Sequence, residues 1–555
     1  MLSWSVYQQC QQSQTATSEL AKDTTQCPTE VFESLFSRHH QHSREKSELD
    51  GVKEFEQKDE LQKARELRAE HELFLATNFW IHSDASTLVT NALRELSRRA
   101  GERGKKVVVK MLYDRGDPRQ AWENRLTVTE EQWTSAKVNI PPSKDIPNLD
   151  LQVINYHRPV FGTFHAKFTI IDRRIALLQS SNIQDNDNLE MLAHLEGPIV
   201  DSFYDTALLS WGKQLDPPLP LLDSPAASAP IPWHEEKGNT TGNENEIIEE
   251  HTTKSPHYDS TLSGEARRVN GSIEPRGDET ATQAVSRHLN TTIQPDTTGN
   301  APDSDQVNWM TPYVVMPLHE PFAIALVNRE PYGSPNHSHV HVPQNAAFLS
   351  AINHAQHSIL IQTPNLNAEP LLDPLLKAVC RGVTVTAYLC LGYNDAGELL
   401  PFQNGTNEMI SNRLYSSLAT DEEKSRLKIY YYVGKDQIQP IHNKFKRRSC
   451  HIKLMVIDEK VAIQGNGNLD TQSYFHSQEV NMLIDSEIVC KKWIAVINCN
   501  QNTAKYGASS TKDGCWHDPV TGEIPNGSIG TDPGHFSWAR GIVGAVQRVR
   551  GAGGF

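Results

Sequence analysis

The chain has 555 residues, enough for two or three domains with sizeable cores, and its formal net charge of −15 with a pI of about 5.9 argues against indiscriminate binding to nucleic acid or anionic lipid. No run of about 18 apolar residues occurs, and the first residues lack a basic start followed by an apolar core, so no membrane span, signal peptide or transit peptide is expected. The eight cysteines form no CxxC pair, which fits reduced thiols in an intracellular protein and not a disulfide framework.

In chain order, residues 1–40 are polar, rich in Gln, Ser and Thr, and read as a disordered N-terminus. A first domain is expected over residues 41–223. It opens on a charged helical stretch from Ser43 and turns apolar at Phe74, where LFLATNFWI predicts a first buried strand. STLVTNALRELSRRAGERG predicts an amphipathic helix, and KKVVVKMLY and LDLQVINYH predict strands. Residues 224–305 hold 14 acidic and 6 basic residues with few large apolar ones, so they read as a disordered acidic insertion that neither core needs. A second domain, residues 306–505, repeats the earlier order: helix QNAAFLSAINHA, strand HSILIQTP, helix LLDPLLKAVCRG, strand VTVTAYLCL and strand LKIYYYV. Residues 506–555 read as a tail with a short helix. These alternating elements, met twice, predict an α/β fold.

Both halves end in the same phrase. HAKFTIID stands at residues 165–172 and HIKLMVID at residues 451–458. A strand puts residues i and i+2 on one face, so His165 and Lys167 point the same way, as do His451 and Lys453. Asp172 and Asp458 suit the first position of a type I turn, and the following IALLQSSN and VAIQGNGN read as return strands. With turns centred on Arg173-Arg174 and Glu459-Lys460, His165 is expected opposite Asn182 and Lys167 opposite Ser180. In the second hairpin, His451 then lies opposite Asn468 and Lys453 opposite Asn466.

Two such faces brought together make a site with two imidazoles, two ammonium groups and a ring of amide and hydroxyl donors. That set suits a phosphodiester. Lys and the donors hold the non-bridging oxygens, one neutral His attacks phosphorus, and the other gives a proton to the leaving oxygen and later activates the incoming water or alcohol. No metal or other cofactor is expected, since Lys and His supply the positive charge.

The pattern H-x-K-x4-D-x6-G-S-x-N resembles the signature of the phospholipase D superfamily, and two copies in one chain resemble its full-length members. His165, Lys167, Asp172, Ser180 and Asn182 match the first copy; His451, Lys453, Asp458, Gly465 and Asn468 match the second. Gln179 stands in place of the first glycine and Asn466 in place of the second serine, which bears on phosphate contacts more than on the chemistry. Glu190 and Glu479 resemble the acidic residue that follows the signature. The likeness runs over residues 74–215 and 310–500, with fragments similar to bacterial cardiolipin synthases.

The resemblance implies two αβα sandwich repeats related by a pseudo-two-fold axis, with one shared active site on a monomeric catalytic unit. His165, Lys167, Asp172, His451, Lys453 and Asp458 are then the catalytic set, with His165 as nucleophile and His451 as general acid and base. Ser180, Asn182, Glu190, Asn466, Asn468 and Glu479 are the phosphate-binding and supporting set. The implied activity is a phosphodiesterase or phosphatidyltransferase acting on glycerophospholipids through a phosphohistidine, cytoplasmic or on a membrane periphery, with no stable nucleic-acid partner. The alternatives are a nuclease or nucleic-acid end-processing enzyme of the same superfamily, and an inactive scaffold that kept the fold. His337, His339 and His341 alternate in NHSHVHV and raise the alternative of a metal site, against a solvated loop. KFKRRS, before His451, reads either as a basic lure for phosphates or as a solvated charge run.

Overall fold

The computed structural model of the chain describes residues 49–54, 69–226, 273–290, 301–302, 310, 313–314, 316, 319, 321–443 and 448–532. The N-terminus as far as residue 48 and the tail beyond residue 532, including its expected helix, lie outside the described residues.

The first half builds one sheet. Its strands are β1 (Leu49–Glu54), β2 (Glu72–Ala76), β3 (Val107–Tyr113), β4 (Arg125–Thr127), β5 (Leu149–Arg158), β6 (Gly162–Thr163), β7 (Phe168–Ile171), β8 (Ile175–Gln179) and β9 (Met191–Glu196), with α1 (Asp84–Glu102) after β2 and α2 (Ile199–Trp211) after β9. Helix α3 (Ala281–Leu289) and strand β10 (Tyr313–Val314) follow. The second half supplies β11 (Ile324–Leu326), α4 (Pro343–His354), β12 (Ser358–Gln362), α5 (Glu369–Cys380), β13 (Thr384–Leu389), α6 (Asn407–Ser416), α7 (Asp421–Arg426), β14 (Leu427–Tyr431), β15 (Leu454–Ile457), β16 (Val461–Gly465), α8 (Thr471–Phe475), β17 (Asn481–Asp485) and α9 (Glu487–Cys499).

The two sheets share one order. In the first it runs β10-β1-β9-β8-β7-β2-β3-β5-β4, with β6 paired to β5; in the second, β11-β17-β16-β15-β12-β13-β14. Strands β2, β3 and β5 are parallel, as are β12, β13 and β14, while β7-β8-β9 and β15-β16-β17 are antiparallel meanders. All residues of β2, β3, β7 and β15 are buried, as befits strands covered on both faces. Helix α1 covers one face of the first sheet through Val89, Leu93 and Leu96, and α4 and α5 cover one face of the second. The opposite faces meet in one core that joins Phe168, Phe203 and Trp211 of the first repeat to Ile452, Val480 and Trp493 of the second. The α/β fold with two αβα repeats is thus present.

Three expectations need correction. The stretch read as a charged helix contains a strand instead: Leu49–Glu54 pairs antiparallel with β9, extending the sheet. Residues 224–305 are not uniformly without structure. Within them Thr280 caps α3 in a capping box with Gln283, and Val285 and Leu289 are buried in the shared core. The polar composition of the whole segment hid a nine-residue amphipathic window with its own start signal. Finally, the second unit continues past residue 505. Gly507 and Ser509 bond along β14, and Trp516 is buried against Tyr431 and Leu391. Among the described residues no helix is long and apolar enough to cross a membrane.

Candidate active site

Each HxK phrase lies just before a buried strand, β7 or β15, at the end where the parallel strands point their carboxyl termini. The segments leading in are pinned by the opposite repeat, and the pinning is reciprocal. Phe164 bridges to Gln478, and Leu189 bridges to Cys450, both parallel. The His165 amide donates to the Gln478 carbonyl at 3.1 Å, and the His451 amide to the Leu189 carbonyl at 2.7 Å. The same patch used twice in exchanged roles is what a pseudo-two-fold contact requires.

The next residue on each partner carries a carboxylate that reaches the imidazole. Both oxygens of Glu479 lie 2.9 Å from His165 Nδ1, and both oxygens of Glu190 lie 3.0 Å from His451 Nδ1. Each histidine is therefore held by the other repeat. A carboxylate only accepts, so Nδ1 carries the proton it donates, and Nε2 is left with its lone pair. His451 Nε2 is buried without a hydrogen-bond partner among the described residues. Lys167 and Lys453 each donate to the carbonyl of their own histidine at 2.6 Å. His165 feels the charge of Lys453, and His451 that of Lys167, so the four groups share one cluster.

The cluster is almost closed to solvent, with His165 and His451 4% and 1% exposed. Burial depresses both imidazoles. It outweighs Glu479 at His165, and it takes His451 down to about 3 despite Glu190. Both rings are neutral at rest. Burial likewise lowers the Lys453 ammonium to about 8, against the opposing pull of Glu190 and Glu479.

The structure redistributes the other predicted residues. Lys167 lies opposite Gln179, not Ser180, and Lys453 opposite Gly465, not Asn466. The reason is the turn. Asp172 and Arg173 both have positive φ (49° and 48°), as do Asp458 and Glu459 (52° and 57°). Such a mirror-image turn matches the twist of a hairpin, and it shifts the register by one residue from that of the assumed type I turn. Ser180 donates to Glu190 at 2.5 Å and accepts the Met191 amide, so it steadies a carboxylate. Asn466 accepts from the Lys167 amide at 3.0 Å and donates to the Gln179 carbonyl, tying the repeats together. Glu190 and Glu479 hold imidazoles. Of the expected supporting set, Asn182, at both side-chain atoms, and Asn468, at its oxygen, keep buried polar atoms without hydrogen-bond partners among the described residues.

Asp172 and Asp458 do not join the cluster. Asp172 accepts the amides of Glu70, His71 and Glu72 at 2.7–2.9 Å, at the start of β2. Asp458 accepts those of Gln356, His357 and Ser358 at 2.7–2.9 Å, at the start of β12. Each clamps a hairpin to the first parallel strand of its repeat, β2 or β12, at the far end of β7 or β15 from the histidine. Asp172→Ala should therefore lower stability by about 2 kcal/mol or more through three stranded, partly buried amides, and Asp458→Ala by less, because the Gln356 and His357 amides are open to water. Urea unfolding should report that loss, while kcat per folded molecule stays within about twofold. A collapse of kcat with stability intact would return these carboxylates to the chemistry.

Sequence reasoning passed over several supporting groups. Asp114 accepts the Phe164 amide at 2.9 Å and holds His157 at 2.8 Å. At the equivalent place, the Cys450 amide donates to Cys390 Sγ at 3.1 Å. Asn188 accepts the Ser449 amide, and the Tyr393 ring lies 6.0 Å from that of His451. No local pattern marks them, because each acts across more than 40 residues of chain. KFKRRS is not simply a solvated run: Arg448 is buried and forms a two-pronged ion pair with Asp436; residues 444–447 lie outside the described residues. His337 stacks on Phe475 at 4.1 Å, and no group of three or more metal-ligating side chains occurs among the described residues.

Comparison with known proteins adds the following. Residues 348–499 match the PLD-like domain of cardiolipin synthase. No curated protein matches the chain. Among solved structures, phosphatidylserine synthase from Haemophilus influenzae Rd KW20 is similar at 14% identity over 91% of this chain and 96% of that one, with a TM-score of 0.47. Nuc from Salmonella typhimurium, a phospholipase D family member, is similar at 16% identity over 33% of this chain and 95% of that one, with a TM-score of 0.23. Polyphosphate kinase from Porphyromonas gingivalis is similar at 9% identity over 93% of this chain and 56% of that one, with a TM-score of 0.41. At such identity and superposition none of these carries a substrate to this chain.

Proposed function

Starting from a phospholipase D-like domain at residues 348–499, with a first repeat of the same strand order, we propose that the chain is a phosphodiesterase or phosphatidyltransferase acting on glycerophospholipids. The observation that supports it most is the exchanged pairing, His165 with Glu479 and His451 with Glu190. One histidine held at Nδ1 could be a core residue. Two, held reciprocally beside two buried lysines, are a pair aimed at one substrate.

In this reading, neutral His165 attacks phosphorus through Nε2, and the P–O bond to the head group breaks as N–P forms. The leaving alkoxide takes a proton from His451 Nε2. Burial leaves that ring neutral at rest, so its Nε2 takes up a proton from solvent as the anionic diester binds, the diester's charge adding to that of Glu190. Neutral again, His451 takes the proton of water or an alcohol as that oxygen attacks phosphorus and frees His165. Lys167 and Lys453 turn from their carbonyls to the non-bridging oxygens, with the amides of Asn182 and Asn468 beside them.

Two experiments test this. Purified protein incubated with a mixed phospholipid panel, with and without a primary alcohol, should release phosphatidic acid or the phosphatidyl-alcohol, identified by mass spectrometry. Cleavage of DNA or RNA with no lipid turnover would replace this reading by the nuclease alternative. The pH profile of kcat/KM follows from the site. A nucleophile whose pKa is lowered stays neutral below the ordinary histidine value, so the acid limb should lie below pH 6.5. Because His451 must take up a proton when the diester binds, kcat/KM should already decline with pH above the free ring's value of about 3, and loss of the Lys453 proton above about 8 should steepen that decline into a second limb. Lys453→Arg, which stays charged, should move that limb up by at least about two pH units, at a lower absolute rate. An unmoved limb would exclude Lys453 as its source.

A further inference from the structure

Two exposed apolar side chains flank the site on backbone that resists them. Val160, 71% exposed, is the middle residue of a tight turn closed by the Phe161 amide on the Pro159 carbonyl, with φ of 73°. Phe402, 82% exposed, also has φ of 73° and is the third residue of a turn closed by the Gln403 amide on the Leu400 carbonyl. The first is the rare form of γ-turn; the second, with Pro401 before it, has the geometry that usually takes glycine. For a β-branched or aromatic residue this backbone is strained. Neither side chain recovers that cost by burial.

Both tips are tied to the site through one helical turn. Asn468 donates to Asp470 at 2.9 Å, and Asp470 caps α8 by accepting the Ser473 amide. From α8, Gln472 donates to the Phe161 carbonyl at 2.7 Å, one residue from the first tip. Thr471 donates to the Gln403 carbonyl at 3.4 Å, and Asn367 donates to the same oxygen at 2.9 Å, one residue from the second tip. One tip comes from each repeat, and both are fixed to the segment that follows the second motif. Each is a single exposed side chain at a tight turn, so the pair fits a deformable apolar phase better than a folded partner.

We propose that Val160 and Phe402 are a pair of apolar tips that insert into a phospholipid surface and hold the site against it. The proposal rests on the phospholipid reading above for its purpose, but not for its test. With a net charge of −15 the chain gains little from an anionic surface, so insertion carries the attachment, and it does so on zwitterionic lipid. The test uses the full chain with phosphatidylcholine vesicles, bound protein being measured by sedimentation.

Wild-type protein should sediment with the vesicles and remain bound in high salt. Val160→Gly/Phe402→Gly should bind about tenfold or more weakly, from the lost apolar transfer. Its Tm should not fall, because glycine adopts positive φ without strain. Turnover of a short-chain, monomeric phospholipid should be unchanged, while turnover of vesicle lipid falls with binding. Val520→Gly removes a side chain that is 91% exposed elsewhere and should change nothing. The proposal is overturned if wild-type protein does not sediment, if salt releases it, or if the double variant binds as well as wild type. It is equally overturned if Val520→Gly loses as much. If vesicle binding follows the tips but no lipid is turned over, the catalytic reading fails and the tips stand.

Discussion

His165→Ala and His451→Ala should each lower kcat/KM on a lipid diester by about four orders of magnitude or more, because each removes a covalent or proton-transfer step that no neighbour replaces. The two losses should differ in kind. His165→Ala forms no phosphoenzyme. His451→Ala still forms one from a diester with a good leaving group, and then turns it over slowly, since nothing activates the incoming oxygen. Glu479→Gln and Glu190→Gln should reproduce these defects in milder form and in crossed order. Glu479 is in the second repeat but orients the first repeat's histidine, so Glu479→Gln should slow phosphoenzyme formation. Glu190→Gln should slow its breakdown. Steady-state kcat/KM and single-turnover rates with an activated diester separate the two steps. Full activity in either alanine variant would remove these residues from the chemistry.

The second large effect concerns stability. Arg448 and Asp436 are 2% and 0% exposed and pair at 2.6 and 3.1 Å, with Asn290 at the end of α3 bonded to both. Arg448→Ala would leave the Asp436 carboxylate buried without its cation, a loss of about 3–5 kcal/mol. Arg448→Met with Asp436→Leu should recover most of it, since two apolar side chains leave no stranded charge. Ser449, Cys450 and His451 follow directly, so the single variant should also blunt activity before it unfolds. Deleting residues 224–305 should likewise destabilise the chain, by about 1.5–3 kcal/mol for each of Val285 and Leu289 lost from the core. Urea midpoints of the three proteins test these expectations. An unchanged midpoint on deletion would restore the dispensable insertion read from composition.

What was legible in the sequence was what repeats or alternates. The phrases at His165 and His451, the β-branched strands before them and the amphipathic helices between are local patterns, and the duplicated sheets follow from them. The hairpin register was not legible. It depends on whether Asp172 starts a turn or sits inside one with positive φ, and three amides a hundred residues upstream decide that. The exchange of Glu190 and Glu479 was also hidden, since two copies of one motif look the same whether each histidine takes its own glutamate or the other's. Helix α3 shows the reverse case: its capping box and apolar face were present in the sequence, but averaging over 82 residues masked them.

The central claim is that two motifs serve one phosphorus through one nucleophile. Rapid quench with a diester labelled at phosphorus, followed by peptide mapping, tests it most directly. The expected result is one label per chain, on the peptide carrying His165, absent in His165→Ala and accumulating in His451→Ala. Label on His451 instead would exchange the roles within the same mechanism. Two labels per chain, or turnover with no labelled histidine in any variant, would contradict the shared site.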